Sequence, residues 1–120
     1  MPEEPQRYWD EVEEGEEFAL LAPMSTQSLV IWAAASGDFY PIHYDEEFAR
    51  KNHLPGVIVH GGLKGMLVGR LLEEWIGEGG RIVHWKVSYR GMNRAREELQ
   101  VWGRVVRKFR EAGESGATPI

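Results

Sequence analysis

The longest apolar segment of the chain places hydrophobic residues on nearly every side of a helix. It runs from Gly61 to Ile76 (GGLKGMLVGRLLEEWI), and Gly77 follows, where a helix is expected to end. All-round hydrophobicity is typical of a helix buried in the middle of a domain. Gly65 and Gly69 lie inside the helix, and each costs about 1 kcal/mol relative to alanine. Close packing against a sheet or a ligand would offset that cost.

Three segments have the pattern of β-strands. The first is 17–21 (EFALL), after Gly15. The segment 81–90 (RIVHWKVSYR) alternates between apolar and polar residues, which predicts a strand with one buried face. The run 98–109 (ELQVWGRVVRKF) also favours β-structure, and we expect these two later strands to form a hairpin against which the helix packs. The apolar positions of the two strands are Val83, Trp85, Val87 and Tyr89 in one, and Leu99, Val101, Val105 and Phe109 in the other.

Two shorter helices are indicated by their capping residues. Ser25 is a plausible N-cap for TQSLVIWAAAS, a helix that should end near Gly37. Asp45 can cap one or two further turns (EEFARKN), which Pro55 and Gly56 would interrupt. The loop between the two helices, 36–45 (SGDFYPIHYD), is too rich in Gly, Asp and Pro for regular structure.

Length and composition bound the domain organisation. With 120 residues, of which 42% are hydrophobic, the chain can bury one core but not two. We therefore expect a single domain over 1–120, with an ordered core from about residue 8 to about residue 111. The acidic opening and the tail 113–120 (GESGATPI) are poor candidates for packed structure. Because so small a chain cannot cover everything alone, we expect at least a dimer.

Charge and cysteine content narrow the partners and the location. The net charge of −5 argues against nucleic acid, which is bound by Lys and Arg that displace counterions. The sequence has no cysteine, which fits a reducing compartment. Since no apolar run approaches the roughly 20 residues needed to cross a bilayer, we expect no membrane span, and a cytoplasmic location. A small-molecule or protein partner fits these properties better.

Two motifs carry a family resemblance. The loop 36–45 (SGDFYPIHYD) and the segment 58–61 (IVHG) resemble the signature S-G-D-x-N-P-x-H-x-D … I-x-H-G of MaoC-like (R)-specific enoyl-thioester hydratases and dehydratases. The resemblance implies an α+β hot-dog fold, in which an antiparallel sheet wraps the central helix. It also implies interconversion of trans-2-enoyl and (R)-3-hydroxyacyl thioesters, carried on CoA or acyl carrier protein, without a further cofactor. A homodimer or higher homo-oligomer is expected, or a hetero-oligomer with another MaoC-like chain.

The chemistry of hydration accounts for the residue types in these motifs. Adding water to an unsaturated thioester needs a group that takes a proton from water, a group that delivers one to the α-carbon, and donors to the enolate-like oxygen. We expect Asp38 and His43 to be the catalytic pair. The oxyanion donor is expected to be the backbone N–H of Gly61, or of Gly62, at the positive end of the helix. The predicted substrate-binding residues are Tyr40, Pro41, Gly62 and Gly65.

Each of these residues also has a purely structural interpretation. Asp38 could be only a turn residue after glycine, and His43 could be a satisfied core histidine. For His60 the structural interpretation is preferred, as an anchor for the start of the helix. Four scattered histidines at no recognisable spacing predict no metal site. An arginine group could be a solvated turn or could meet the phosphates of CoA; its members are Arg90, Arg94 and Arg96.

The chain departs from the family pattern at three places. Tyr40 stands where the pattern has Asn, and the central helix has no Ser or Thr that could lend a hydroxyl group. The tail 113–120 replaces a further strand that the family usually has. Two other functions stay open. One is a hot-dog thioesterase, which commonly has a carboxylate on or near the central helix, where the first acidic residue here is Glu73, close to the far end. The other is a subunit of a heteromeric dehydratase whose site is decayed or is completed by a different chain.

Overall fold

A computed structural model describes residues 6–111 and Ile120. The described part contains strand β1 and helix α1, then helices α2 and α3, and last strand β2; two 3-10 turns, Trp9–Glu11 and Pro41–His43, complete it. The bounds of the five elements are Glu17–Pro23, Thr26–Ser36, Glu46–Lys51, Gly61–Ile76 and Glu98–Arg104.

The chain divides into two compact units. The described residues of one are 6–20, 68–86, 101–111 and Ile120. The other consists of Leu21–Leu67 and Val87–Gln100 and holds every residue that the motifs single out. The expected single domain with a core over 8–111 stays a prediction. The expectation for the tail falls outside the described residues, except for Ile120, whose carbonyl accepts a hydrogen bond from the Arg81 N–H at 3.2 Å.

The capping residues begin and end the short helices as predicted. The Ser25 hydroxyl accepts the Ser28 N–H at 3.1 Å at the start of α1. Gly37 closes α1 in the left-handed conformation, with φ +78°, and its N–H donates to the Ala33 carbonyl at 2.8 Å. Asp45 caps α2 by accepting the Phe48 N–H at 3.0 Å. The loop that carries the motif is therefore held between two fixed helix ends.

The buried segment 57–60 leads into α3 and is fixed on one side by the segment 93–95. The Val59 N–H donates to the Asn93 carbonyl at 2.8 Å, and the Ala95 N–H donates to the Val57 carbonyl at 2.9 Å. On another side, the Ile58 N–H donates to the Ile42 carbonyl at 3.1 Å. The last of these bonds attaches the segment that leads into α3 to the motif loop.

The sequence-based prediction of how the strands pair is wrong. β2 pairs with β1 in a two-stranded sheet and not with the segment 81–90. Within one unit the Val105 N–H donates to the Glu16 carbonyl at 2.9 Å, and within the other the Met24 N–H donates to the Glu97 carbonyl at 3.1 Å. A hairpin between neighbouring segments was expected because chain proximity favours it, but an alternating pattern does not identify the strand that completes the ladder.

The predicted strand at 81–90 is also absent, and its apolar face is exposed. A strand needs a hydrogen-bonded neighbour, and within the described residues only Ile58 and Arg94 form an isolated antiparallel bridge near this segment. The predicted strand at 98–109 forms only in part, as β2, which ends at Arg104. Leu99 is buried as expected, but Phe109 is exposed. Exposed apolar residues of the segment include Val83, Trp85, Val87 and Tyr89.

Helix α3 has the predicted bounds but not the predicted burial. A single stripe of leucines at four-residue spacing is buried, formed by Leu63, Leu67 and Leu71. Met66 is exposed, and so are the charged residues near the end of the helix. The apolar residues outside the stripe are half-buried or exposed, and Trp75 among them stacks on Phe18 with ring centroids 4.4 Å apart. The spread of apolar residues around the helix predicted complete enclosure, but within α3 the leucine stripe alone is buried.

Candidate active site

The motif loop folds back on itself through a 3-10 turn that begins at proline. Pro41 occupies the first position of the turn, where its fixed φ is favourable and its missing N–H is not needed. The His43 N–H donates to the Tyr40 carbonyl at 3.0 Å, and the Asp45 N–H donates to the Pro41 carbonyl at 2.8 Å. The turn brings His43 back toward Asp38, so Pro41 helps to shape the loop that carries both side chains.

The two carboxylate oxygens of Asp38 have different neighbours. One carboxylate oxygen, Oδ1, accepts the Tyr40 N–H at 3.3 Å and so closes a local turn. The other oxygen, Oδ2, lies 3.8 Å from His43 Nε2. The side chain is 49% exposed, so a substrate or water can reach it. The turn interpretation and the catalytic interpretation are thus compatible, because they use different oxygens.

His43 is buried and its tautomer is set by a backbone contact. Its Nδ1 lies 2.8 Å from the Ile58 carbonyl oxygen. Because a carbonyl can only accept, Nδ1 carries the proton, and the lone pair of the neutral ring is on Nε2. That lone pair faces the Asp38 carboxylate at 3.8 Å, beyond direct hydrogen-bond length. Two acceptors at this separation can receive the two hydrogens of one water molecule.

His60 is fully buried directly behind this pair. Its Nε2 donates to the Asp38 carbonyl at 3.2 Å, and its ring stacks on His43 with a centroid distance of 3.8 Å and an interplanar angle of 20°. Burial, and then the neighbouring His43, lower the pKa of His60, so the ring is neutral where an exposed histidine would begin to titrate. The predicted anchor of the helix start therefore also contacts both catalytic candidates.

The two imidazoles and the carboxylate are close enough to raise the question of a metal ion. Asp38, His43 and His60 can each bring one ligand atom within 4.8 Å of the others. However, stacked rings direct their in-plane lone pairs along nearly parallel planes, whereas metal ligands must converge on one point. The nitrogens that keep a lone pair, His43 Nε2 and His60 Nδ1, lie on these two stacked rings. The absence of a metal stays a prediction, and this geometry supports it.

The start of α3 offers unpaired backbone donors. The His60 carbonyl accepts the Lys64 N–H at 3.2 Å, which makes His60 the residue before the first turn. Over 6–111 and at Ile120, no acceptor is found for the N–H groups of Gly61 and Gly62. First-turn N–H groups carry the positive end of the helix dipole, and α3 has 16 residues to build it. The Gly61 N–H is therefore available to an anionic oxygen, and its role as oxyanion donor stays a prediction.

The glycines of this helix face aromatic side chains that the sequence did not single out for the site. A Cβ on Gly61 would lie 3.5 Å from the ring of Tyr89, and a Cβ on Gly65 would lie 2.6 Å from the Tyr89 hydroxyl oxygen. Tyr89 therefore lies along the first turn of α3, and it is 52% exposed. The sequence signal for Tyr89 was the pair Gly65 and Gly69, which indicates that something packs closely against the helix but does not identify the residue that does so. A Cβ on Gly62 would lie 3.3 Å from Trp32, so packing explains that glycine.

Tyr40 forms one side of the loop next to the catalytic candidates. Its ring makes an edge contact with His43 at 6.3 Å and another with Phe48 at 5.9 Å. It is 52% exposed. The ring can therefore contact a substrate beside the Asp38–His43 pair, which is compatible with its predicted binding role.

The comparison with known families decides the assignment. The family model described as "MaoC like domain" matches residues 10–118. The chain belongs to the MaoC-like hydratase and dehydratase family. It is 33% identical over 90 residues to the fatty acid synthase beta subunit hexB of Dothistroma septosporum (strain NZE10 / CBS 128990). That match covers 73% of this chain but 5% of the synthase, so the chain spans a small part of that relative.

Solved structures of MaoC-like proteins share the fold. The (R)-hydratase from A. caviae involved in PHA biosynthesis superposes with a TM-score of 0.77 at 27% identity, over 84% of this chain and 76% of that one. The R-hydratase PhaJ1 from Pseudomonas aeruginosa gives a TM-score of 0.70 at 25% identity, over 85% and 66%. These likenesses confirm the predicted α+β hot-dog fold. In the described part of the chain, no helix combines the length and apolarity that a membrane span requires.

The burial of His60 predicts a pH-dependent stability. Its pKa is below the ordinary value of 6.5, so as pH falls the unfolded chain binds the proton first. The contribution of His60 to the free energy of unfolding is at its maximum above about pH 6.5, the ordinary pKa. It declines as the pH falls from there toward the pKa of His60 in the folded protein. Urea unfolding at about pH 7.5 and about pH 5.5 should show the decline, and His60→Gln should reduce it. If the free energy of unfolding fell equally in the parent and in His60→Gln, His60 would not be the source of the pH dependence. Glu46 does not interfere, because the hydrogen bond from Val57 keeps its pKa below the ordinary 4.5.

The position of Tyr89 predicts opposite effects at two glycines of α3. The new methyl group of Gly69→Ala meets no described atom within 4 Å beyond the adjacent backbone of its own helix, so it should raise the free energy of unfolding by up to about 1 kcal/mol through helix propensity. Gly65→Ala must displace the Tyr89 hydroxyl and should lose that gain while changing KM or the preferred acyl length. Denaturant unfolding and substrate kinetics measure both. If Gly65→Ala stabilised the protein as much as Gly69→Ala with kinetics unchanged, Tyr89 would not lie on this turn.

Proposed function

We propose that the chain adds water to trans-2-enoyl thioesters to give (R)-3-hydroxyacyl thioesters, and catalyses the reverse dehydration. The observation that carries the proposal is the pairing of His43 Nε2 with Asp38 Oδ2 at 3.8 Å, next to the donor end of α3. The imidazole nitrogen of His43 is a base and the carboxylate of Asp38 is a second hydrogen-bond acceptor, so together they can hold and activate a single water molecule. Membership of the family and likeness to two (R)-hydratases support this reaction.

The geometry suggests how the atoms move. The water donates one hydrogen to Asp38 Oδ2 and one to His43 Nε2, and its oxygen attacks C3 of the enoyl group. The proton lost by the water is taken up by the pair, and negative charge moves to the thioester oxygen. The N–H of Gly61 stabilises that oxygen, with Gly62 as a second candidate donor. The pair then delivers the proton to C2, so that H and OH have been added across the double bond.

The substrate carrier is CoA or acyl carrier protein, and no further cofactor is needed for this mechanism. Tyr40 and Tyr89 are both half-exposed aromatic rings, one next to His43 and the other along the first turn of α3. We infer that they contact the acyl group or its thioester arm, with Pro41 and Gly65 shaping the backbone beside them.

The experiment that tests the function follows two signals with the same substrates. The protein is mixed with crotonyl-CoA and with longer enoyl-CoAs, and loss of the conjugated double bond is compared with release of free CoA thiol. Hydration predicts loss of the double bond without thiol. Thiol release would favour the thioesterase interpretation instead. That interpretation has less support, because the first acidic residue of α3, Glu73, is exposed and lies near the end of the helix.

We further infer that the protein forms a homodimer or larger homo-oligomer, or pairs with another MaoC-like chain. The support is the exposed apolar face of 81–90, where Val83 is 81% exposed and Trp85 is 42% exposed. Large exposed apolar patches typically mark interaction surfaces. Light scattering of the purified chain at micromolar concentration should give at least a dimer, and Val83→Glu should weaken it. A clean monomer, alone and with a MaoC-like partner, would contradict this inference.

A further inference from the structure

A third imidazole contacts both catalytic candidates, although the hydration mechanism gives it no proton to carry. None of the surface of His60 is exposed. Its Nε2–H donates to the backbone carbonyl of Asp38 across 22 residues of sequence, and its ring face lies on His43. One side chain thus contacts one member of the pair by a hydrogen bond and the other through its ring.

The hydrogen-bonding of His60 is unbalanced in a way that structural packing does not require. Because its Nε2 carries the proton, the lone pair is on Nδ1, and that atom is buried with no partner in the part of the chain that the structure describes. An unpartnered buried acceptor is destabilising, and an apolar side chain of similar size would avoid the cost. The gain that an imidazole offers here is its single donor, which is directed at Asp38.

Asp38 needs an external support of this kind. It follows Gly37, whose φ of +78° places it outside regular structure, and its side chain is half exposed. Its other hydrogen bonds are local, to the Ser36 hydroxyl at 3.2 Å and from the Tyr40 N–H at 3.3 Å. The bond from His60 is the contact that ties its backbone to the start of α3.

We propose that His60 is a positioning residue: its Nε2–H fixes the Asp38 backbone, and its ring holds the plane of His43, so that Asp38 Oδ2 and His43 Nε2 stay directed at one water molecule. The inference rests on the proposed hydration. It adds that the segment 58–61 supplies the support for the catalytic pair as well as the oxyanion donor. His60 itself touches neither water nor substrate.

Two substitutions separate the donor from simple filling of space. His60→Leu keeps a similar volume and removes both the donor and the unpartnered acceptor, so it should fold with unchanged or higher thermal stability. Its kcat for hydration should fall about 100-fold while KM changes little, since loss of position acts on the reacting groups. His60→Gln keeps an N–H donor and should recover most of the rate. A residue with a purely structural role would lower stability and leave the kcat of folded protein unchanged.

Steady-state kinetics of both variants, each normalised to folded protein by near-UV circular dichroism, give the decision. Parent-level kcat in His60→Leu, or equal losses in the two variants, would overturn the positioning role. If His60→Leu does not fold, His60→Gln decides alone, because a loss as large as that of Asp38→Asn would show that a donor at this place is not enough. A parent protein that hydrates no enoyl thioester would remove the proposed function and this inference together, whereas an active parent with an unaffected His60→Leu removes the inference alone.

Discussion

Asp38→Asn and His43→Gln should each lower the rate of enoyl-thioester hydration by about 100- to 10,000-fold. Asn at position 38 keeps an oxygen that can accept the Tyr40 N–H, so the local turn survives while the carboxylate is lost. Gln at position 43 removes the Nε2 base. Steady-state kinetics, with circular dichroism to verify the fold, measure both effects. His43→Asn is the matched control for folding, because its amide can still donate to the Ile58 carbonyl.

The double variant Asp38→Asn/His43→Gln should be little slower than the slower single variant. The two groups act on one water molecule, so once one group is removed, removal of the other should lower the hydration rate little further. Independent losses that multiply would mean that the groups serve separate steps. Ordinary turnover by the double variant would rule out the pair as the catalytic machinery.

Gly61→Val should lower kcat/KM by about 100- to 1,000-fold. This corresponds to a loss of about 2.7 to 4 kcal/mol of transition-state stabilisation, which is the typical effect of losing an oxyanion donor. The donor is a backbone N–H, so no side-chain deletion can remove it, and the informative change adds bulk. A Cβ at this position reaches only normal contact with the Tyr89 ring, at 3.5 Å, but the two methyl groups of Val extend further. They should obstruct the approach of the thioester oxygen. Kinetics with one enoyl-CoA at several concentrations give the value.

Gly69→Ala is the matched control for this substitution in the same helix. It adds a methyl group that meets no described atom within 4 Å beyond the adjacent backbone of its own helix, so kcat/KM should stay at the parent level. If Gly61→Val folds and hydrates at the parent rate, the oxyanion donor lies elsewhere and the assignment of the glycine in the 58–61 motif is wrong.

Local signals in the sequence located the helices and the motif loop. Ser25 and Asp45 are capping residues whose side chains act over three residues, and the structure has both caps. The helix over Gly61–Ile76 has the predicted bounds because its apolar pattern and Gly77, with φ +86°, act within one or two turns. The proximity of Asp38 and His43 could also be predicted, because both lie in one short loop and the turn at Pro41 between them is local.

Long-range features could not be read in the same way. The alternation at 81–90 describes where side chains point, but it does not say which strand is the neighbour, and the predicted hairpin failed for that reason. Tyr89 was expected on a buried face, yet it lies half exposed along α3. His60 was expected to anchor the helix, but its stacking on His43 depends on contacts 17 and 22 residues away along the chain, at His43 and Asp38.

The identity of the product made from crotonyl-CoA tests the proposed (R)-specific hydration. The parent protein is incubated with the substrate, and the thioester product is separated and its C3 configuration determined by chiral chromatography. We expect (R)-3-hydroxybutyryl-CoA from the parent, and at most a trace of it from Asp38→Asn at the same protein concentration. Free CoA as the main product, the (S) product, or an equal yield from Asp38→Asn would rule out (R)-specific hydration by the Asp38–His43 pair.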